Sequence, residues 1–301
     1  MKPSVMAAAL AFAAALSVGG SALADTTHWD EAGWKNGVTE CVKAPVHTED
    51  RWVMNGNDRI YGKLFIPETG TGKKPLVIFS HELGCTHETG EIYAKALSER
   101  GVLVYTFDYR GGGLKSRSSG TTRDMSVLTE VSDLEKVLKT AENWPEVDRN
   151  HIVIIGASQG GLVASLTAGR HASELEGLVL IYPAFVIHDE LHKHYESLSE
   201  VPAEVNYNGW IPVGKKYVED AWNLDPYEGA PGFHKPVLIL QGDEDRDVPP
   251  YYAYEAARRY PDARLKILHG TGHMFPEEKA KTSAVKDVVR FLDDLHFLPQ
   301  I

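Results

Sequence analysis

Short, continuous apolar segments recur along the chain and constrain its fold more than any other feature. They are bounded by turn residues, are rich in Val, Ile and Leu, and occupy residues 75–80, 102–107, 152–156, 177–182 and 236–242. A strand that is apolar without alternation is buried on both faces, as in a parallel sheet covered by helices. Residues 264–268 mix charged with apolar side chains, so we expect that strand at the edge of the sheet.

Helical patterns lie between these segments. Apolar residues repeat at helical spacing over residues 127–141, until Pro145 ends the pattern, and again over residues 285–295. Nearer the start, residues 51–66 contain two strand-like runs around Asn55-Gly56-Asn57-Asp58, a hairpin signal. Strands that alternate with helices predict an α/β fold, with a mostly parallel central sheet and helices on both faces.

Residues 186 to about 234 interrupt this alternation. They are rich in His, Tyr, Trp, Pro and acidic residues, contain no clear buried strand, and lie between two of the apolar segments. A long irregular excursion inside a compact domain is often a lid or a binding loop. We expect a small cap insertion over the carboxyl edge of the sheet; the alternative is a surface insertion without a role.

The first 24 residues have the pattern of a secretory signal peptide. Lys2 precedes an apolar, Ala-rich stretch, and the small residues Ala22 and Ala24 come directly before Asp25. The stretch is short for a membrane span, and an uncleaved anchor helix is the alternative. We expect cleavage before Asp25, one domain over residues 25–301, and a periplasmic or secreted protein without membrane attachment.

Net charge limits the classes of binding partner, and cysteine content limits the possible disulfides and metal sites. The chain has 42 acidic and 31 basic residues and a formal net charge of −11, which argues against nucleic acid as a partner. Its two cysteines, Cys41 and Cys85, form neither a CxxC pair nor a zinc-binding spacing. In an oxidising compartment they can form a disulfide, and two free thiols are the alternative. The sequence leaves the oligomeric state open.

The pentapeptide Gly156-Ala157-Ser158-Gln159-Gly160 is the first sign of chemistry. G-x-S-x-G alone arises by chance, but here it directly follows a strand segment and opens a helical one at residues 160–169. A nucleophile elbow needs this order, because the glycines permit a tight turn that places the serine at a helix N-terminus. The helix dipole and free amides there favour a developing oxyanion. Ser158 is the predicted nucleophile.

A serine hydroxyl needs a base to take its proton and an acid to orient that base. His273 follows Gly270-Thr271-Gly272 in the loop after a strand, and we predict that it is the general base and acid. His269 lies at the end of that strand, where its side chain is expected to pack. Loops at the carboxyl ends of strands are where open α/β sheets build their sites.

Four carboxylates in the loop after the preceding strand compete for the role of the acid. Asp245 is the preferred one, because of its spacing after Gly242 and before Val248-Pro249. Asp247 is the alternative. The remaining two, Asp243 and Glu244, are expected to face solvent or to support the turn.

These motifs together resemble the α/β-hydrolase superfamily, over essentially the whole mature chain. The resemblance rests on the strand-borne elbow, the Gly-x-x-Asp-x-x-Val-Pro loop and the Gly-x-Gly-His loop. Residues 107–113 are similar to the Asp-x-Arg-Gly-x-Gly turn of that superfamily, which is structural. Residues 125–130 and the inserted cap are similar to bacterial cinnamoyl and feruloyl esterases. The resemblance implies a Ser-His-Asp acyl-enzyme mechanism without a metal or organic cofactor.

Two backbone amides are expected to form an oxyanion hole. One belongs to Gln159, the residue after the nucleophile. In the loop His81-Glu82-Leu83-Gly84 the resemblance implies that Leu83 donates the other, while His81 fixes the loop. Glu82 stands where relatives usually have glycine. It therefore either changes the backbone angle of the loop or places a carboxylate near the pocket mouth.

Residues of the predicted cap are further candidates. Tyr207, Trp210 and Tyr217 are expected either to bind an acyl or aryl group, or to pack the cap on the body. His188 and His192 have the spacing to share a helix face as zinc ligands. Their order is not H-E-x-x-H and no third ligand is evident, so we expect no metal site.

The predicted function is the hydrolysis of carboxylic esters by an exported serine hydrolase. Hydroxycinnamoyl (feruloyl-type) esters, free or linked to plant polysaccharide, are the most specific expectation for the substrate. A short-chain carboxylesterase or lipase, and a serine peptidase or amidase, would use the same residues. Dienelactone chemistry is disfavoured because the elbow carries Ser rather than Cys. Outside enzymes, the alternative is a non-catalytic binding protein with this fold.

Overall fold

The computed structural model describes residues 43–299. The predicted signal peptide and Cys41 lie outside this range, and with them the question of pairing between Cys41 and Cys85. No helix within the described range combines the length and the apolar character that crossing a membrane requires.

The described residues form ten strands in two sheets, with seven α-helices between them. The strands are β1 Val46–Asn55, β2 Asp58–Pro67, β3 Lys74–Ser80, β4 Leu103–Phe107, β5 Val147–Ala157, β6 Gly177–Ile181, β7 Glu204–Tyr207, β8 Ile211–Gly214, β9 Val237–Gly242 and β10 Ala263–Leu268. The helices are α1 Glu91–Ser98, α2 Val127–Ala141, α3 Gln159–Arg170, α4 Ile187–His194, α5 Lys215–Ala221, α6 Tyr251–Arg259 and α7 Glu278–Asp294.

The central sheet has eight strands in the order β1-β2-β4-β3-β5-β6-β9-β10. The pairs β1–β2 and β2–β4 are antiparallel, and the five pairs from β4 to β10 are parallel. This arrangement confirms the predicted α/β-hydrolase fold, and β10 lies at the edge as its mixed composition indicates. The predicted hairpin is also present: Asn55 pairs with Asp58, and Gly56 has a φ of +62°.

Helices cover both faces of the sheet, as continuous apolar strands require. Side chains of α1 and α7 pack on one face, while α2, α3 and α6 pack on the other together with the cap elements. Helix α2 begins after Ser126, whose hydroxyl accepts a hydrogen bond from the amide of Thr129 at 3.2 Å. The layers bring the carboxyl ends of β3, β5, β6, β9 and β10 to one edge.

The excursion at residues 186–234, called the cap below, contains α4, the hairpin β7–β8 and α5. The sequence shows no clear buried strand in this stretch, and the structure adds a short two-stranded hairpin that lies outside the central sheet. Asn208 and Gly209 take positive φ values of +51° and +77° and turn the chain between the two strands. These two strands of four residues each form their own sheet and do not join the central one. Neither strand therefore has the apolar run of a buried strand.

Candidate active site

The turn between β5 and α3 carries Ser158. Its backbone has φ +50° and ψ −121°, a conformation that residues other than glycine rarely adopt. A Cβ on Gly156 would lie 2.3 Å from the carbonyl oxygen of Gly160, and one on Gly160 would lie 2.3 Å from that of Ser80. Neither position can carry a side chain. The G-x-S-x-G pattern is therefore the packing requirement of this strand–turn–helix junction.

Ser158, His273 and Asp245 form a continuous hydrogen-bonded line. The Oγ of Ser158 lies 2.9 Å from Nε2 of His273, and Nδ1 of His273 lies 2.8 Å from Oδ2 of Asp245. The side chain of Asp245 is fully buried and that of His273 is 15% exposed. Oδ1 of Asp245 also accepts from the amides of Asp247 and Val248, at 3.0 and 2.8 Å. These bonds fix the carboxylate toward the imidazole.

The other side chains of the two loops lie outside this line of hydrogen bonds. Asp243 accepts from the amide of Gly270 and from Nδ1 of His269, both at 2.8 Å, and so ties the two loops together. The expectation that His269 packs at the strand end is wrong, since its side chain is 83% exposed. Glu244 and Asp247 are exposed, and Asp247 gives its amide, not its carboxylate, to the line of hydrogen bonds.

The loop after β3 is fixed by His81, as the resemblance implied. Nδ1 of His81 donates to the carbonyl of Glu82 at 2.7 Å, and Nε2 accepts from the amide of Tyr109 at 3.1 Å. Burial lowers the pKa of His81, and a neutral ring is what this pattern of one donor and one acceptor requires. Leu83 and Gln159 lie on the wall of one cavity with Ser158. Within the described range neither amide donates to a protein acceptor.

Glu82 contributes a carboxylate to the same wall. The residue is 5% exposed, and its two oxygens accept from the hydroxyls of Tyr182 at 3.0 Å and Thr89 at 2.7 Å. Its backbone stays out of the left-handed region. Of the two outcomes that the sequence left open, the structure shows a carboxylate at the cavity.

A cavity of about 280 Å³ opens beside Ser158 and His273. Tyr207, Trp210 and Tyr217 of the cap all line it. Tyr207 and Tyr217 are buried, whereas Trp210 is 52% exposed. The cap therefore forms one wall of the space in which the serine hydroxyl lies.

His188 and His192 of the cap are hydrogen-bonded to other groups of the protein. The rings of His188 and His192 lie 4.5 Å apart, and Nε2 of His192 is bonded to the carbonyl of Trp222 at 2.8 Å. Nδ1 of His188 is bonded to Asp189 at 3.1 Å. Among residues 43–299 no three or more His, Cys, Asp or Glu side chains converge where they could hold a metal ion.

Tyr182 is a residue of this site that the sequence analysis missed. It directly follows β6, has a φ of +38°, and its ring lies 4.9 Å from that of His273. Its hydroxyl reaches Glu82 at the same time. The available signal was its position, because the residue after the carboxyl end of a central strand lies at the site edge of an open sheet.

Glu130, on the first turn of α2, is a buried acid beneath the elbow. It is 1% exposed, and its Oε2 accepts from Nε2 of Gln159 at 2.8 Å. Oε1 has no hydrogen-bond partner among the described residues. Burial raises the pKa of Glu130 well above its usual value, and the charge of Asp133 adds to this effect. Burial of this side chain therefore favours its protonated form over the carboxylate.

Replacing Glu130 by Gln should make folding stability less sensitive to alkali. Because the pKa of Glu130 is raised, the folded protein releases this carboxyl proton at a higher pH than the unfolded chain, whose ordinary pKa is 4.5. The contribution of Glu130 to stability is therefore fully present below pH 4.5 and is lost as the pH rises through the raised folded pKa. Glu130→Gln imitates the protonated acid and cannot ionise. Urea unfolding at pH 5 and pH 9 should show the variant gaining on the wild type at the higher pH; an equal difference at both would contradict the raised pKa of Glu130.

The fold together with this line of serine, histidine and aspartate defines an α/β hydrolase. The sequence model of the family described as Serine aminopeptidase, S33 matches residues 71–228, more than half of the chain. A second model, described as TAP-like protein, matches residues 212–297. The chain thus belongs to the Serine aminopeptidase, S33 family of α/β hydrolases, and it is a hydrolase of the esterase and lipase type.

Relatives of known name agree with this assignment. The monoacylglycerol lipase of Mycolicibacterium smegmatis is 24% identical over 274 residues, which cover 79% of this chain and 94% of that protein. The monoglyceride lipase of Homo sapiens is 25% identical over 243 residues, covering 70% and 78%. The structure of Est1E from Butyrivibrio proteoclasticus with bound ferulic acid superimposes with a TM-score of 0.72 at 24% identity, covering 79% of this chain and 97% of Est1E.

Proposed function

We propose that this protein is an exported serine hydrolase that cleaves carboxylic esters through a covalent acyl-enzyme. The observation that carries the proposal is the hydrogen-bonded line from Ser158 through His273 to Asp245 at the wall of a cavity. In the proposed assignment Ser158 is the nucleophile, His273 the general base and acid, and Asp245 the group that orients the imidazole.

The distances among Ser158, His273 and Asp245 support the proposed acylation step. Nε2 of His273, 2.9 Å from the hydroxyl of Ser158, takes the proton as Oγ attacks the ester carbonyl. Asp245 accepts the N–H of Nδ1, which keeps Nε2 free to accept, and stabilises the imidazolium that forms. The amides of Leu83 and Gln159 receive the carbonyl oxygen as it becomes negative. When the tetrahedral intermediate collapses, His273 returns the proton to the leaving alkoxide.

Deacylation repeats the same steps with water. His273 removes a proton from the water that attacks the acyl carbonyl, and the same amides hold the second oxyanion. The bond between the acyl carbon and Oγ of Ser158 then breaks, and the proton returns to Oγ. No metal or organic cofactor enters either half of the proposed reaction.

The residues that line the cavity favour the binding of uncharged acyl groups that are aromatic or apolar. Aromatic cap side chains line the cavity together with Ser158, and the acidic residues of the lining are Glu82, Glu190 and Asp247. Within the described chain no Lys or Arg lines it. A carboxylated acyl group would meet like charge there. Hydroxycinnamoyl esters, free or linked to polysaccharide, are our first choice, and the ferulic acid held by the structurally similar Est1E supports it.

Glycerol or short-chain esters are the second choice. Two of the relatives are named monoacylglycerol or monoglyceride lipase, and they align with 70% or more of this chain. Export belongs to the proposal because residues 1–24 have the pattern of a signal peptide. A mature protein outside the cytoplasm that begins at Asp25 would support export, and an intracellular protein that begins at Met1 would refute it.

An ester panel tests the proposal directly. Methyl ferulate, p-nitrophenyl butyrate, a monoacylglycerol, a phenyl hemisuccinate and an aminoacyl anilide would be compared by kcat/KM. We expect the ferulate ester to lead, the anionic hemisuccinate to be turned over at least about tenfold more slowly than the neutral butyrate, and the anilide to be slowest. Preference for the monoacylglycerol would transfer the assignment to the lipases. Preference for the anilide would transfer it to the peptidases.

A further inference from the structure

The side chain of Gln159 is held at both ends. Its Nε2 donates to Oε2 of Glu130 at 2.8 Å, and its Oε1 accepts from the hydroxyl of Tyr217 at 2.7 Å. Gln159 is 1% exposed, and Glu130 and Tyr217 are equally buried. Both bonds are made in a water-poor environment, where a lost partner leaves a polar group unsatisfied.

These two bonds join separate parts of the fold at one residue. Glu130 belongs to α2 of the body, whereas Tyr217 belongs to α5 of the cap. The ring of Tyr217 lies 4.9 Å from that of Tyr207, whose hydroxyl donates to Glu190 of α4 at 2.9 Å. A chain of polar contacts thus runs from the buried acid, through the first residue of α3, into the cap wall.

The backbone of Gln159 is what makes this position consequential. Its amide is one of the two proposed oxyanion donors, and it directly follows the strained Ser158, with φ +50°. Such a backbone persists only where its surroundings determine it. A displacement of about 1 Å near the reacting atoms can lower a rate by about a hundredfold.

We infer that Tyr217 is a positioning residue for the oxyanion hole: its hydroxyl, through the side chain of Gln159, holds the Gln159 amide where the oxyanion forms. The inference rests on the proposed function, since it assigns a purpose to the oxyanion donor of that function. The cap then acts on chemistry as well as on substrate binding. Loss of the hydroxyl lowers kcat, because the amide matters most when the carbonyl oxygen carries charge.

Tyr217→Phe tests the inference, with Tyr260→Phe as the matched control. Tyr260 is also buried, and its hydroxyl is bonded to α3 as well, at Ser165 over 2.6 Å, away from the cavity. For p-nitrophenyl butyrate we expect Tyr217→Phe to lower kcat about 10- to 100-fold with KM nearly unchanged. Tyr260→Phe should keep kcat within about twofold, with a comparable decrease in Tm.

A second measurement reports the oxyanion itself. Oγ of Ser158 adds to the carbonyl carbon of an aryl trifluoromethyl ketone, and the proton of the Ser158 hydroxyl passes to His273. The carbonyl oxygen of the ketone becomes the anion that the two amides hold. Its affinity should fall in Tyr217→Phe by the same factor as kcat. A rise in KM with unchanged kcat and unchanged ketone affinity would overturn the inference and leave Tyr217 as a substrate contact. Equal losses of kcat in both tyrosine variants would overturn it as well.

If Tyr217→Phe does not fold, variants of Glu130, the partner of Gln159 Nε2, test the inference instead. Glu130→Gln retains an acceptor for Nε2, whereas Glu130→Leu removes it at similar volume. We expect kcat of the Leu variant to fall about tenfold or more below that of the Gln variant; equal values would overturn the inference. Wild-type protein that neither turns over any ester nor forms the ketone adduct would refute the proposed function instead.

Discussion

Ser158→Ala should abolish ester hydrolysis for practical purposes, with kcat about four to six orders of magnitude below the wild type. The hydroxyl 2.9 Å from His273 is the group that forms the acyl bond, and among residues 43–299 no other hydroxyl is hydrogen-bonded to this imidazole. Water, activated by the same histidine, would account for the remaining rate. The change removes one oxygen from a side chain that is 8% exposed, so the variant should fold.

Two measurements make this result specific. Wild-type protein should be labelled covalently by a fluorophosphonate at Ser158, and the alanine variant should not. Ser165→Ala is the matched control, because it removes a buried serine hydroxyl from α3, the helix that follows Ser158, where that hydroxyl lies 2.6 Å from Tyr260 instead of in the cavity. It should keep its activity. Activity or labelling that survives in Ser158→Ala would remove Ser158 from the proposed mechanism.

The body of the fold could be predicted because its central strands are buried on both faces. Residues 152–156 are apolar without interruption, and in the structure they form the part of β5 that lies in the middle of the central sheet. The order of the strands in the sheet was not predicted, since it depends on which helix covers which face. The expected edge position of β10 came from Arg264 and Lys266, whose charges exclude the strand from the centre.

The candidate site could be predicted as far as chain order and strand ends determine it. Ser158, Asp245 and His273 each follow the carboxyl end of a strand, and parallel pairing brings those ends together. The contrast between His269 and His273 was less accessible. The side chain of His269 is exposed and bonded to Asp243 of the neighbouring loop. This contact joins residues 26 positions apart, and no local pattern encodes it.

Local sequence patterns predicted neither the hairpin of the cap nor the contact of Glu130 with Gln159, for different reasons. The dipeptide Asn208-Gly209 was an available turn signal, but β7 and β8 are only four residues long and pair with each other alone. The contact of Glu130 with Gln159 has no such signal, because a polar residue on an amphipathic helix is expected to face solvent. Only the packing of α2 against α3 places that carboxyl group beneath the elbow.

Asp245→Asn should lower kcat about ten-thousandfold while leaving the protein folded. Oδ1 of Asp245 accepts from the amides of Asp247 and Val248, so the oxygen of the new amide group must remain on that side. Its nitrogen then faces Nδ1 of His273, at the position from which Oδ2 now accepts. Two donors cannot share that contact, so the imidazole proton moves to Nε2. With Nε2 protonated, His273 can no longer take the proton of Ser158.

Asp247→Asn is the comparison that decides between the two acids of this loop. Asp247 is exposed and supplies its backbone amide, which the substitution keeps. Because its carboxylate lines the cavity, we expect kcat/KM to change by less than about tenfold, in either direction. The two variants should therefore differ in kcat by at least about a hundredfold, at similar Tm. The reverse order would give Asp247 the role of orienting His273, and the fixed geometry of Asp245 would then serve only to shape the loop.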